Sequence, residues 1–150
     1  MLALKIQTAV SDAQLPDCHF ATVEMDIQRS SSECGIFSLA LAKKLHTESG
    51  KITRVHEDNV KGILCEPNTP LPSHKLDAYL TASFYKHTQG SRRLEEYVKA
   101  NPGAEQEKVN KKGETLGERF KKSLVTTEKG KNVSVSPHRK RVTEYKSLTM

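Results

Sequence analysis

The strongest chemical feature of this 150-residue chain is a cysteine followed by glycine and preceded by a polar run. It lies in the stretch Gln28-Arg29-Ser30-Ser31-Ser32-Glu33-Cys34-Gly35-Ile36-Phe37. If a helix starts at Cys34, its exposed N–H groups and positive dipole end favour the thiolate, which is the nucleophilic form. Gly35 would let a substrate carbonyl approach the backbone closely. Gln28, at the end of the preceding strand, would place its amide to donate into an oxyanion hole. Glu33 is expected to keep the turn polar and open to water. Any cysteine can instead be a small, inert packing residue. The polar run before Cys34 and the apolar run after it set it apart from Cys18 and Cys65, which lack such surroundings.

The elements that must position this thiol can be read from the residue pattern. Phe20 to Gln28 alternates, with Val23, Met25 and Ile27 on one face, and predicts a half-buried strand. Ser30, Ser31 and Ser32 supply N-cap candidates for a helix whose segment Ile36–Leu45 is apolar nearly all round, and so is expected to be central and buried. Met1 to Ala13 reads as a short helix. Further helices are expected at about Arg54–Leu64, at Arg92–Ala100 capped by Ser91, at Thr115–Lys122, and at His138–Leu148 opened by Ser136-Pro137. Glu66 to Ser73 is a proline-rich loop and Leu76–Leu80 a helical turn. Ala82–Lys86 and Val133–Val135 read as short strands. The sum is an α/β or α+β domain.

Composition narrows the classes of function. No apolar run approaches the length of a bilayer span, and the first ten residues lack the apolar stretch and cleavage site of a signal peptide. Cys18, Cys34 and Cys65 are odd in number and fit no disulfide or zinc spacing, which implies a reduced compartment. The net charge of +6 is skewed. From Lys108 onward twelve Lys and Arg face only Glu114, Glu118, Glu128 and Glu144. Such a face suits phosphate, nucleic acid or a lipid surface, although no nucleic-acid-binding motif accompanies it.

The stretch Gln28–Leu45, QRSSSECGIFSLALAKKL, resembles the catalytic-cysteine motif of the YopJ family of type III secreted effectors. These are acetyltransferases on the Ulp1/adenain-like (clan CE) cysteine protease fold, with which they share the Gln-x5-Cys-Gly spacing. The resemblance continues through His56-Glu57-Asp58-Asn59, Ser83 to Gly90, Arg93 to Tyr97, Val109 to Lys112, Glu118-Arg119-Phe120 and His138 to Arg141. It runs from about Leu15 to Leu148, after a short segment 1–14, and is greatest toward the AvrA-like members.

The resemblance implies that Cys34 takes acetyl from acetyl-CoA and passes it to Ser, Thr or Lys of host kinases or other host signalling proteins, after type III secretion into the host cytoplasm. It makes Gln28 part of an oxyanion hole. It places Arg29, Ser30, Lys44, Leu45, His46, Thr47, Lys86 and His87 at the CoA site, and makes Lys86 a self-acetylated lysine. Inositol hexakisphosphate, the family's activator, would meet Arg119 and Gln89, with Lys111, Lys112 and Arg139 as electrostatic candidates. His19, His56, His74 and His138 are expected to be surface or packing residues. The family's catalytic His and acid match nothing before Cys34, so the resemblance is to the C-terminal part of such an enzyme, 15–150, with impaired catalysis. A protease of ubiquitin-like conjugates, sharing fold and spacing, and a non-catalytic binding remnant are the alternatives.

Overall fold

The computed structural model describes residues 2–149. In chain order its elements are α1 (Leu2–Asp12), α2 (Cys34–Thr47), a 3-10 turn (Ser49–Lys51), α3 (Thr53–Val60), α4 (Ser73–Leu76), a 3-10 turn (Ala82–Tyr85), α5 (Ser91–Ala100), a 3-10 turn (Pro102–Glu105), α6 (Leu116–Lys122), β1 (Leu124–Thr126), β2 (Asn132–Ser134) and α7 (Ser136–Leu148). Helices with one small sheet make the mixed class that the sequence implied. The chain divides into two compact units, one of Met1–Met25 and Ser49–Leu80, the other of Asp26–Glu48 and Thr81–Met150.

The first unit is built on Leu64, Leu71 and Leu76, with Ala21, Met25, Val55 and Tyr79 packed against them. The strand expected at Phe20–Gln28 does not form a ladder. Val23 makes a single parallel bridge to Leu71, through Leu71 N–H to the Thr22 carbonyl at 2.8 Å and Glu24 N–H to the Leu71 carbonyl at 2.9 Å. The expected facing fails at its start, where Thr22 is buried and donates to Gln7 Oε1 while Val23 is exposed, but holds at Met25, which packs on the core. Asp26 has a left-handed φ of 52°, which ends the extended run before Gln28. Helix α3 stops at Val60 rather than near Leu64. Gly62, at φ 71°, turns the chain so that Ile63 and Leu64 N–H groups return to the Asp58 carbonyl.

The second unit carries Cys34. Helix α2 is not enclosed as expected: Ile36 is its one buried residue among those described, and Leu39 and Leu45 are exposed. Its inner stripe of Ile36, Phe37 and Ala40 faces His87, Pro137 and Lys140, so it packs on one side only. None of the three serines caps it. The N-cap is Glu33, whose side chain makes no capping bond. In place of the strand expected at Ala82–Lys86, Ala82–Tyr85 is a buried 3-10 turn, closed by Thr88 donating from N–H and hydroxyl to the Tyr85 carbonyl. A short apolar run does not carry enough periodicity to separate the two.

Helix α5 turns Leu94, Tyr97 and Arg93 inward. Tyr97 stacks on Tyr85 at 3.9 Å, and the Arg93 guanidinium lies 5.3 Å from the Tyr85 ring centre. Its N-cap is Gly90, with Ser91 already helical. Val133 lies in β2 as expected, but its partner β1 had no signal in the pattern. The pair is an antiparallel hairpin with Val125 opposite Val133, turned at Gly130 with φ 70°. Helix α7 starts at Ser136-Pro137 as the sequence indicated.

Helix α6 has a complete capping box. Thr115 Oγ1 accepts from Glu118 N–H at 3.3 Å, and the Glu118 carboxylate accepts from Thr115 N–H at 2.8 Å. Replacing Thr115 with Ala is therefore expected to cost about 1 kcal/mol, read as a lower urea midpoint with an unchanged slope. An unchanged midpoint would show that the box contributes nothing.

Candidate active site

Cys34 is the first residue of α2 and its thiol is exposed. Phe37 N–H donates to the Glu33 carbonyl at 3.0 Å, closing the first turn. A methyl group added at Gly35 would meet nothing within 4 Å, so the space beside the thiol is open to a substrate. Glu33 departs from expectation. It is only 6% exposed, and Oε1 lies 3.7 Å from Arg141 Nη2 and 3.9 Å from His138 Nδ1, both on α7. Reach explains this: the carboxylate of Glu extends past its own helix start to the neighbouring helix.

Gln28 turns its amide to the Ser30 carbonyl, which occupies one of its two N–H donors. No hydrogen bond joins it to Cys34 among the described residues. Ser30 and Arg29 are held from the other side by Gln89. The Gln89 Oε1 accepts from Arg29 N–H at 2.6 Å and Ser30 N–H at 2.9 Å, and Gln89 Nε2 donates to Ser30 Oγ at 3.1 Å. Its backbone binds the Ile27 carbonyl and accepts from Ser134 N–H of β2. Gln89 is thus a buried strut for the segment leading to the nucleophile, with its side chain spent on that segment.

The Arg29 guanidinium forks onto Asp26 at 2.9 and 3.2 Å and packs over Gly90, where an added methyl would lie 3.2 Å from Nε. Arg29 also lines an open groove of about 1040 Å³ with Ser91, Arg92, Lys129 and Lys131. The last three cations had no signal in sequence, because the hairpin and the start of α5 had first to be brought together.

A second cationic cluster forms around Lys86 and His87. The Arg119 Nε donates to the Lys86 carbonyl at 3.0 Å, and its Nη2 donates to Ser136 Oγ at 2.9 Å. The same hydroxyl lies 2.9 Å from His87 Nδ1. Ser136 thereby joins Arg119 to Nδ1 of the ring, whose other nitrogen is Nε2. That Nε2 is buried without a hydrogen-bond partner. Burial, then the charges of Arg119 and Lys86, push the His87 pKa down to about 3, so the ring is neutral. Burial, then Lys44, Arg119 and Lys140, push Lys86 down to about 8.

Lys44 pairs with Glu48, which also accepts from Ser83 at 2.8 Å and Thr81 at 3.1 Å. Burial would raise the Glu48 pKa, but the hydrogen bonds from Lys44 and Ser83 hold it at about 2. Lys44, Lys86 and His87 line one small cavity with Phe37 and Ser83. Leu45, His46 and Thr47 are exposed and line none of these cavities, though the Thr47 hydroxyl donates to the Lys44 carbonyl at 3.4 Å. Arg139 donates to the Lys122 carbonyl at 3.2 Å, and its charge acts on Arg119. Lys111 and Lys112 are exposed on the Asn110 turn. His138 is not a base in this arrangement, because Arg141 donates to its Nδ1 at 2.9 Å and leaves the proton on Nε2. Sequence reasoning did not single out Ser136, Lys140 or Glu48, whose importance comes from tertiary contact alone.

The second unit thus combines a free cysteine exposed at a helix start with two cation-lined sites, features of a thiol-bearing α/β protein. Comparison identifies it further. The family model YopJ Serine/Threonine acetyltransferase matches residues 1–147, and the chain belongs to that family. It is 59% identical over 150 residues to the serine/threonine-protein acetyltransferase YopJ of Yersinia pestis, covering 99% of this chain and 51% of that protein. The Yersinia pseudotuberculosis YopJ is 58% identical over the same share. The solved structure of AvrA delL154 with IP6 and CoA superposes with a TM-score of 0.92 at 58% identity, covering 99% of this chain and 56% of that one. The chain therefore spans about half the length of the curated relatives it matches.

Neutral His87 in the fold and a titratable histidine in the unfolded chain make stability depend on pH. The unfolded state binds the extra proton between about 3 and 6.5, so stability falls as pH drops through that window. The slope reaches at most about 1.4 kcal/mol per pH unit. His87→Asn, which does not titrate, is expected to flatten it in urea titrations at stepped pH. An unchanged slope would rule out His87 as its source.

Proposed function

We propose that this chain carries the nucleophile and the ligand-facing part of a secreted effector acetyltransferase. In this reading Cys34 attacks the acetyl carbonyl of acetyl-CoA. The C–S bond to CoA breaks, CoA leaves as its thiol, and acetyl is held as a thioester on Sγ. A hydroxyl or amine of a host signalling protein then takes the acetyl group and frees the thiol. The observation that carries the reading is the placement of Cys34: exposed, first in α2, with open space at Gly35 and no side chain capping the helix. Uncapped N–H groups at a helix start are donors for the oxygen of the tetrahedral intermediate.

The two basic sites fit the anions that the AvrA structure contains. CoA carries phosphates, which suit the groove of Arg29, Arg92, Lys129 and Lys131. The resemblance puts Lys44 and Lys86 at the CoA site, but their crowding with Arg119 and Lys140 suits inositol hexakisphosphate instead, since an anion would relieve the mutual repulsion. Kinship with the Yersinia proteins supports a route through type III secretion. Transfer by this chain alone is expected to be weak, because no described histidine forms a hydrogen bond that prepares it to take the Cys34 proton.

Incubation with radiolabelled acetyl-CoA tests the first half-reaction. Label on the Cys34 peptide that is lost in Cys34→Ala is expected, and label elsewhere only, or none, would refute it. A second measurement addresses the basic cluster. The neutral amine is the acyl acceptor, so acetylation of Lys86 should rise with pH and level off just above 8, whereas an ordinary lysine climbs toward 10.5. Inositol hexakisphosphate should move that plateau to higher pH. A plateau that does not move would show that the polyphosphate binds elsewhere.

A further inference from the structure

We infer that Glu33 is a positioning residue: it locks the Cys34 turn to α7 through Arg141 while leaving the start of α2 uncapped. The role bears on catalysis only if Cys34 is the acetyl-carrying nucleophile, and so rests on that reading.

The cost of burying a carboxylate makes Glu33 unusual. An ionised group this enclosed is unfavourable unless it is paired. Glu33 is 6% exposed, its Oε2 has no hydrogen-bond partner, and the Arg141 guanidinium faces its Oε1 at 3.7 Å, with His138 Nδ1 3.9 Å away. Arg141 is itself oriented by donating to His138 Nδ1 at 2.9 Å, one helical turn away on α7. The other tie between α2 and α7, from Lys43 to Glu144, lies farther along and is more exposed. Exposed pairs contribute little. Glu33 is therefore the buried electrostatic joint at the reactive end of α2.

The choice of residue matters as much as its burial. Ser, Thr, Asp or Asn at an N-cap turns its oxygen onto the helix's own N–H groups. In Glu33 the carboxylate goes to α7, and no side chain caps α2. The first-turn donors next to Cys34 are left for an incoming oxygen, while α7 supplies the restraint that a cap would otherwise give.

The test uses the whole chain in the variants Glu33→Gln, Arg141→Gln, their double, Arg141→Lys and Glu33→Ser. Amide hydrogen exchange at Phe37, whose N–H bonds to the Glu33 carbonyl, reads the joint without needing activity. Each single Gln variant should speed exchange about threefold or more, with the double no faster than either, as coupled residues behave. Arg141→Lys should restore protection. Glu33→Ser should protect the turn by capping it yet lower thioester labelling of Cys34, a split that a purely structural role does not produce. Unchanged alkylation of Cys18 and Cys65 by iodoacetamide, together with unchanged near-UV circular dichroism, shows that the variants remain folded. Additive effects of the two Gln changes, or labelling in Glu33→Ser equal to wild type, would overturn the inference. If the unaltered chain takes no label while the exchange coupling holds, the joint stands and the acetyl-transfer reading falls.

Discussion

The segment leading to Cys34 depends on one buried amide, that of Gln89. A loop approaching a helix start has few backbone bonds of its own, and here the residues from Ile27 to Ser30 borrow theirs. Ile27, Arg29 and Ser30 all bond to Gln89, which in turn accepts from Ser134 in the hairpin and precedes the N-cap of α5. A glutamine suits the task because its carbonyl oxygen takes two N–H donors while its NH2 returns a bond to Ser30 Oγ. A charged residue in its place would have to be paired, and an apolar one would leave two half-buried N–H groups without their acceptor.

The same fold gathers several cations around Lys86, although Lys44 pairs with Glu48, Lys140 with Glu144, and Arg119 lies 3.8 Å from Glu114. Lys86, Arg119, Lys44 and Lys140 act on one another strongly enough, with burial, to bring the Lys86 amine near neutrality. Such crowding opposes folding, since each charge raises the free energy of the next. Arg119 is kept in place by hydrogen bonds to the Lys86 carbonyl and Ser136. A site assembled at that cost is stabilised by whatever polyanion enters it, and ligand binding then appears as protein stability.

The sequence made some of this legible and hid the rest for identifiable reasons. Motif content was readable: Cys34 at a helix start, Lys86 and His87 side by side, and the α6 and α7 boundaries marked by Thr115 and Ser136-Pro137. The family followed from those residues. Strand assignments failed where pattern stood in for pairing. Phe20–Gln28 alternates, yet its one ladder contact is Val23 with Leu71, and β1 was invisible because Leu124–Thr126 is exposed on both faces. The roles of Glu33, Glu48 and Ser136 lay beyond reach, because each depends on a partner distant in sequence. An apolar α2 implied full enclosure, whereas Leu39 and Leu45 are open.

The nucleophile's turn is held on both flanks by different physics. Before it, neutral hydrogen bonds from Gln89 fix Arg29 and Ser30. At its start, Glu33 is held by charge against α7. Only Ser31 and Ser32, both exposed, lie between the two restraints. So short a span has little conformational freedom left to lose, and the position of Cys34 is set before any substrate arrives. Hydrogen bonds and ion contacts respond differently to the medium. Salt weakens exposed charge pairs far more than buried ones, and Glu33 is buried. The burial that makes its unpaired oxygen costly therefore also shields the restraint, and this allows the turn to remain ordered beside a highly charged ligand.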